Sequence, residues 1–225
     1  MPRLIEWRRR WRLRRAPPGP LREFLAHPSA RPGADWRAIE YLAVDLETTG
    51  LDPRNDQILS VGYVVLRGAS IDLASARRHL VRVGGAIPEA SAVIHQITDD
   101  QAASGGDLEP VLAELLAALA GRVLIAHHAS IELGFLSNAC RRLWNQGLLT
   151  PLIDTQVLAH RTFERRQIPF RGSDLRLYAL CDRYNLPRHA AHDALGDALA
   201  AAELFLAQAA YRDAGNGVTL ATFLC

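Results

Sequence analysis

Residues 41-YLAVDLETTG-50 decide the reading of the fold. The run is short, aliphatic and β-branched, and turn formers follow it at Gly50, Asp52, Pro53 and Asn55. That pattern predicts a buried strand. It also carries Asp45 and Glu47 two residues apart. Side chains alternate faces along a strand, so both carboxylates point the same way. Buried charges without a partner are costly. The chain contains no lysine, and no arginine lies between Asp45 and Pro53. Hard oxygen donors at this spacing suit Mg²⁺ or Mn²⁺. Thr48, Thr49 and Gly50 are small enough to let a substrate backbone approach, and their amides and hydroxyls suit an oxygen ligand. Taken alone, the acid pair is equally compatible with a solvated strand end.

Working outward, residues 57–68 read as a second strand and 71–83 as a third, linked tightly enough for antiparallel hairpins. The pattern then changes. Residues 107–120 predict a helix capped by Asp107, with Pro110 early in it. A buried strand is expected over 122–127, and a helix from Ser130 to about Asn145 ended by Gly147. Next come a strand at 151–155 and helices over about 155–164, 173–184 and 193–211. Hairpins first and β–α alternation later predict an α/β fold, a mixed sheet flanked by helices.

Residues 1–40 read as an arginine-rich extension, 41–212 as the main domain and 213–225 as a tail. In 4-LIEWRRRWRLRR-15, Leu4, Trp7 and Trp11 share one helical face among arginines. After 16-APPGP-20 breaks that helix, 21-LREFLAH-27 forms a second amphipathic piece. All 26 basic residues are arginine. Seven of them against Glu6 put residues 1–15 at +6, so the rest sums to −4 for a whole chain of +2. The arm has three readings: a contact to nucleic-acid phosphates, a helix on an anionic membrane surface, or a docking segment for a protein partner. The bland alternative is a frayed basic tail. Three scattered cysteines fit a reducing cytoplasm. No apolar run approaches the ~20 residues of a membrane span, and no signal-peptide h-region is present.

Two further stretches carry chemistry. In 192-HDALGDALAAAELF-205, His192 precedes a helix and Asp197 lies in its first turns. A histidine beside a metal-binding carboxylate is a candidate general base. Asp193 is a rival ligand, but capping the helix is its preferred role. In 125-IAHHASIELGFL-136, a strand ends near His127 and Glu132 opens the following helix. It is a further candidate carboxylate for the same cleft, unless it is a plain helix-surface glutamate.

Together, VDLETTG at 44–50, VIHQIT at 93–98, the 127–132 run, IDTQVLAHR at 153–161 and H-x4-D at 192–197 resemble the DEDDh exonucleases. These are the proofreading epsilon-subunit type within the ribonuclease H-like superfamily. The resemblance covers about residues 40–212. It implies a five-stranded sheet, three antiparallel strands followed by parallel ones. It implies metal ligands at Asp45, Glu47, Asp197 and Glu132, a base at His192, and substrate contacts at Thr48, Thr49, Gly50, Leu51, His95 and His127. Asp154 matches a supporting acid. Two positions depart from the family pattern: Glu132 stands for an aspartate, one methylene longer, and Gln96 for a glycine.

The expected activity is 3′→5′ exonucleolysis of DNA with two Mg²⁺ or Mn²⁺ ions about 3.5–4 Å apart. Single-stranded DNA is the expected partner, with a polymerase or another protein as a possible second. The alternatives are an RNA-trimming ribonuclease, or a nucleic-acid-binding module whose catalysis is impaired at Glu132.

Overall fold

Strand β1 (Glu40–Thr48) lies at the middle of the sheet, and its side-chain alternation sorts the core into two layers. Leu42, Val44 and Leu46 enter one apolar cluster, while Tyr41 and Ala43 enter another on the opposite face. The computed structural model describes residues 2–215 and 217–225, and the side chains of all of these but residues 2–4. Strand β2 (Ile58–Arg67) pairs antiparallel with β1, and β3 (Ser70–Leu80) antiparallel with β2. Strands β4 (Val123–Ala126) and β5 (Leu152–Asp154) extend the other side in parallel. The order β3-β2-β1-β4-β5 is the mixed five-stranded sheet expected from the sequence.

The described residues also hold nine α-helices, α1 (Pro2–Arg15), α2 (Pro20–Ala26), α3 (Glu89–His95), α4 (Asp99–Ala103), α5 (Leu108–Leu119), α6 (Ser130–Trp144), α7 (Thr155–Arg165), α8 (Leu177–Arg183) and α9 (Ala194–Asp213), and three short 3-10 helices. The first layer places α2, α5 and α6 against Leu42, Val44 and Leu46. The second places α9, through Ala202, Phe205 and Ala209, against Tyr41, Ala43 and Val64. Helices α3 and α4 were not read from the sequence. A capping box, Thr98 with Gln101, starts α4, and it is a signal visible in the residues themselves.

Two expected helix ends are corrected. Asp107 occupies the cap position of α5, but its carboxylate makes no cap bond and faces Arg82 at 3.2 Å instead. Helix α6 is closed by Asn145 in the left-handed conformation (φ 59°), not by Gly147. The carbonyl of Gly147 accepts from Arg12 Nη1 at 2.8 Å.

The extension and the tail pack onto the domain. Leu21, Phe24 and Leu25 of α2 are buried in the first layer. Three such side chains contribute roughly 1.5–3 kcal/mol each when fully buried, far more than an isolated seven-residue helix retains. Trp36 is buried edge-on to Phe205 and Phe223, and its ring N–H donates to Asp213 Oδ2 at 2.9 Å. Arg37 also pairs with Asp213, and Leu220 and Phe223 of the tail close this cluster.

Helix α1 turns its tryptophan face outward. Trp7 and Trp11 are 61% and 47% exposed, whereas Arg9 is buried, held by Glu6 at 2.6 Å and by the Leu25 carbonyl. The side chain of Leu4, third in the expected stripe, lies outside the described residues.

Candidate active site

Asp45 and Glu47 occupy the same alternation as Tyr41 and Ala43, so they project onto the α9 side of β1. Asp45 stands opposite Gly62 and Glu47 opposite Ser60. The register then slips between Glu47 and Thr48, a bulge that ends the regular ladder beside the acids. Glu47 is buried and Asp45 half-buried. Gly62 fixes how close α9 can come. A Cβ there would lie 2.1 Å from the carbonyl carbon of Ala194, so only glycine admits the start of α9 against β2.

That close approach sets His192 and Asp197. His192 adopts a left-handed backbone (φ 60°), uncommon for a residue with a Cβ. In this conformation its N–H donates to Asp197 Oδ2 at 3.1 Å. The other carboxylate oxygen, Oδ1, accepts from the Tyr178 hydroxyl at 2.5 Å. Asp193 caps α9 by accepting from Gly196 N at 3.0 Å, and its second oxygen meets Arg78 Nε at 2.8 Å. The expected cap thus forms, and its carboxylate is committed. One donor atom from each of Glu47, His192 and Asp197 lies within 4.8 Å of the others. Asp45 is not in that tight trio.

Glu132 sits buried in the first turn of α6, and its Oε2 has no hydrogen-bond partner. Nearby, Asp154 caps α7 by accepting from Gln156 N at 2.9 Å and Val157 N at 3.2 Å. It also accepts from His128 N at 3.2 Å and Ala129 N at 2.9 Å, tying the α6 entry to the end of β5. Four backbone donors leave it a structural anchor.

The carboxylates crowd one another. Burial first, then the charge of Asp197, pushes the Glu47 carboxyl up to about 7, with Arg78 opposing. Burial raises Glu132 to about 8, and the charges of Asp154 and Glu47 add to it. Asp45 is raised by burial and then by Glu132, Asp197 and Glu47. Asp197 is raised by burial, against the hydrogen bonds from Tyr178 and His192. Four acids share this end of β1 with little positive charge beside them. Divalent cations fit here: the donors are hard oxygens, one of them orphaned, and each acid is unstable as a bare anion.

The expected substrate contacts are placed unevenly. Leu51 is 76% exposed on the turn beyond β1. The Thr48 hydroxyl donates to the Gly50 carbonyl at 2.6 Å, and the Thr49 hydroxyl accepts from Gln57 N at 2.9 Å. Both hydroxyls therefore brace the turn. His95 is buried, and its Nδ1 accepts from Ile97 N at 3.1 Å. That bond puts the proton of the neutral ring on Nε2, which has no partner. Burial lowers its pKa, as does the charge of His192. His127 faces Thr155 Oγ1 at 2.8 Å with Nε2 unpartnered, and burial drives its pKa down to about 4. Sequence reasoning missed Tyr178 and Gly62. Nothing in 177-LYALCDR-183 signals a carboxylate partner 19 residues on. Gly62 stood within a strand, where an isolated glycine is a signal of close backbone approach.

The exonuclease family model RNase_T matches residues 42–205. The DNA polymerase III subunit epsilon of Treponema pallidum (strain Nichols) is 30% identical over 180 residues, covering 80% of each chain. The PolC-type DNA polymerase III of Thermotoga maritima is 29% identical over 166 residues, 74% of this chain but 12% of that polymerase. Among solved structures, the nuclease domain of 3′hExo, a DEDDh family member bound to rAMP, superposes with a TM-score of 0.65. That match covers 82% of this chain and 96% of the other at 16% identity, a likeness of fold.

Proposed function

This chain belongs to the exonuclease family, in its DEDDh, epsilon-like branch, and from that membership we propose that it removes nucleotides from the 3′ end of DNA, releasing nucleoside 5′-monophosphates. The observation that carries the reading is the convergence of Glu47, His192 and Asp197 within 4.8 Å beside the crowded Asp45 and Glu132.

Asp45, Glu47, Asp197 and Glu132 would hold two divalent ions, Mg²⁺ or Mn²⁺. When bound, such ions neutralise the carboxylates and the scissile phosphate and make water a better nucleophile. The chain's own groups do the rest. His192 would take the proton of the attacking water with its imidazole, a role supported by its exposure and by the bond from its backbone to Asp197. The water oxygen bonds to phosphorus as the bond from phosphorus to the 3′ oxygen breaks. Tyr178 and the His192 amide hold the Asp197 carboxylate in one orientation. His95 Nε2–H and the exposed Leu51 are the contacts for the terminal nucleotide. Asp154 keeps the α6 entry, and with it Glu132, in place.

The likeness to an epsilon subunit supports a polymerase as a partner in this reading. A cytoplasmic location fits DNA work, and among the described residues no helix is long and apolar enough to cross a membrane.

The test is direct. Purified protein with Mg²⁺ or Mn²⁺ should shorten 5′-labelled single strands one nucleotide at a time, and EDTA or Asp45→Ala should stop it. Strands left intact beside a working control exonuclease sink the reading. Matched RNA oligomers, degraded faster than DNA, would move the substrate to RNA, where the 2′-OH is the distinguishing contact.

A further inference from the structure

Helix α1 keeps its two tryptophans outward and buries an arginine, so its solvent face needs a different explanation from packing. Beside that face, between α1 and the C-terminal end of α6, lies a groove of ≈ 660 Å³. Trp11, Arg12, Arg15, Arg141 and Gln146 line it. Among the described residues no carboxylate lines it, and none pairs with Arg12, Arg15 or Arg141. The nearby acid on α1, Glu6, is already held by Arg9 and Arg10. Arg15 stacks over the Trp11 ring, 3.7 Å from its centroid. Burial and then the like charges of Arg141 and Arg8 lower the Arg12 pKa, which registers how positive the groove is. The body beyond residue 15 is net acidic, so this concentration of charge is local.

We infer that the α1–α6 groove is a second nucleic-acid contact, in which Trp11 stacks on a base while Arg15 and Arg141 take backbone phosphates. The combination of cationic groove and aromatic platform is the chemistry that holds single strands without sequence preference. The concavity favours a strand over a flat bilayer. Helix α6 joins the two regions: Glu132 in its first turn faces the acid cluster, and Arg141 lies nine residues on. That is about 14 Å along the axis, or about four nucleotides at duplex spacing. The groove therefore engages strands longer than the few nucleotides at the acids. This rests on the proposed nucleic-acid substrate.

The experiment measures binding of fluorescent 4-mer and 20-mer DNA to the full chain in EDTA, across a salt series. Trp11→Ala with Arg15→Gln and Arg141→Gln should weaken 20-mer binding at least tenfold and the 4-mer far less. Losing two phosphate contacts should reduce the salt slope by about 1.4. Trp11→Phe should restore most of the stacking share, which separates binding from misfolding. An Arg165→Gln control removes a like charge from α7, where Arg212 and Arg166 crowd it. The inference is overturned if that control weakens 20-mer binding as much, or if affinity and slope stay within twofold of the parent. It is also overturned if the triple variant loses only phosphatidylglycerol vesicles. Because hydrolysis is not read, an inactive protein that still shows groove-dependent binding would sink the proposed catalysis and leave the groove standing.

Discussion

Tyr178 donates its hydroxyl to Oδ1 of Asp197 at 2.5 Å, while the His192 amide takes Oδ2 of the same carboxylate at 3.1 Å. A side chain on α8 thus orients an acid at the start of α9. Hydrogen bonds to a charged group are worth about 1.5–3 kcal/mol. Tyr178→Phe keeps the ring and removes the bond. The metal concentration for half-maximal activity should rise about three- to tenfold, with a smaller loss at saturating metal. An unchanged metal titration would show that the bond does not position Asp197.

Removing a charge from the cluster should separate stability from activity. Asp45 is raised by burial and by four neighbouring acids, so it is unfavourable as a bare anion. Asp45→Asn should raise the melting temperature of the metal-free protein while cutting activity at least about a thousandfold, because metal-site charge is needed for the chemistry. Melting curves in EDTA beside single-turnover assays decide it. A fall in both quantities would contradict the crowding argument.

The role proposed for His192 uses both its ring and its backbone. His192→Asn tolerates the left-handed φ of 60° and retains the N–H on Asp197. The rate should drop by about 10²–10⁴, the usual contribution of a general base. Metal affinity, read by isothermal titration, should hold within about threefold. A rate within threefold of the parent would remove His192 from the role of base.

The acid cluster also predicts how stability follows pH. Burial pushes Glu47 up to about 7 and Glu132 up to about 8 in the fold, above the roughly 4.3 of a free glutamate. Between those values the folded state binds more protons than the unfolded one, so stability falls as pH rises through this window. Each such group contributes a slope of at most about 1.4 kcal/mol per pH unit. Metal-free protein should therefore melt progressively lower from pH 5 to 8. Mg²⁺ should stabilise more at pH 8 than at pH 6, and Glu132→Gln should flatten part of the slope. A melting temperature that rises over this range in EDTA would overturn the assignment.

Gly62 should tolerate no side chain. Its added Cβ would meet the Ala194 backbone at 2.1 Å, so Gly62→Ala must push α9 off β2. Activity should fall about a hundredfold or more, the cost of a shift near 1 Å at a reacting site, and the melting temperature should fall with it. A fully active, equally stable variant would show that α9 has slack.

The sheet was legible because its signals are local. The short aliphatic run in YLAVDLE, the tight links between the first three strands and the later helical periodicity are all features of neighbouring residues, and the observed mixed sheet β3-β2-β1-β4-β5 agrees with them. Asp193 as a cap was legible for the same reason, since a cap reaches only three residues along the chain. The caps assigned to Asp107 and Gly147 failed because a competing partner won, Arg82 in one case and a left-handed Asn145 in the other. At α1, periodicity marked the Trp face as apolar but not which side would meet the body.

By itself the sequence determined that Asp45 and Glu47 share a face and that His192 and Asp197 open a helix, because periods of two and 3.6 residues are written into the chain. Only the tertiary structure decided that these pairs meet: Gly62 lets α9 descend onto β2, and Tyr178 closes on Asp197 from another helix. Contacts between distant segments depend on packing distance and crossing geometry. No local pattern of residues encodes either one.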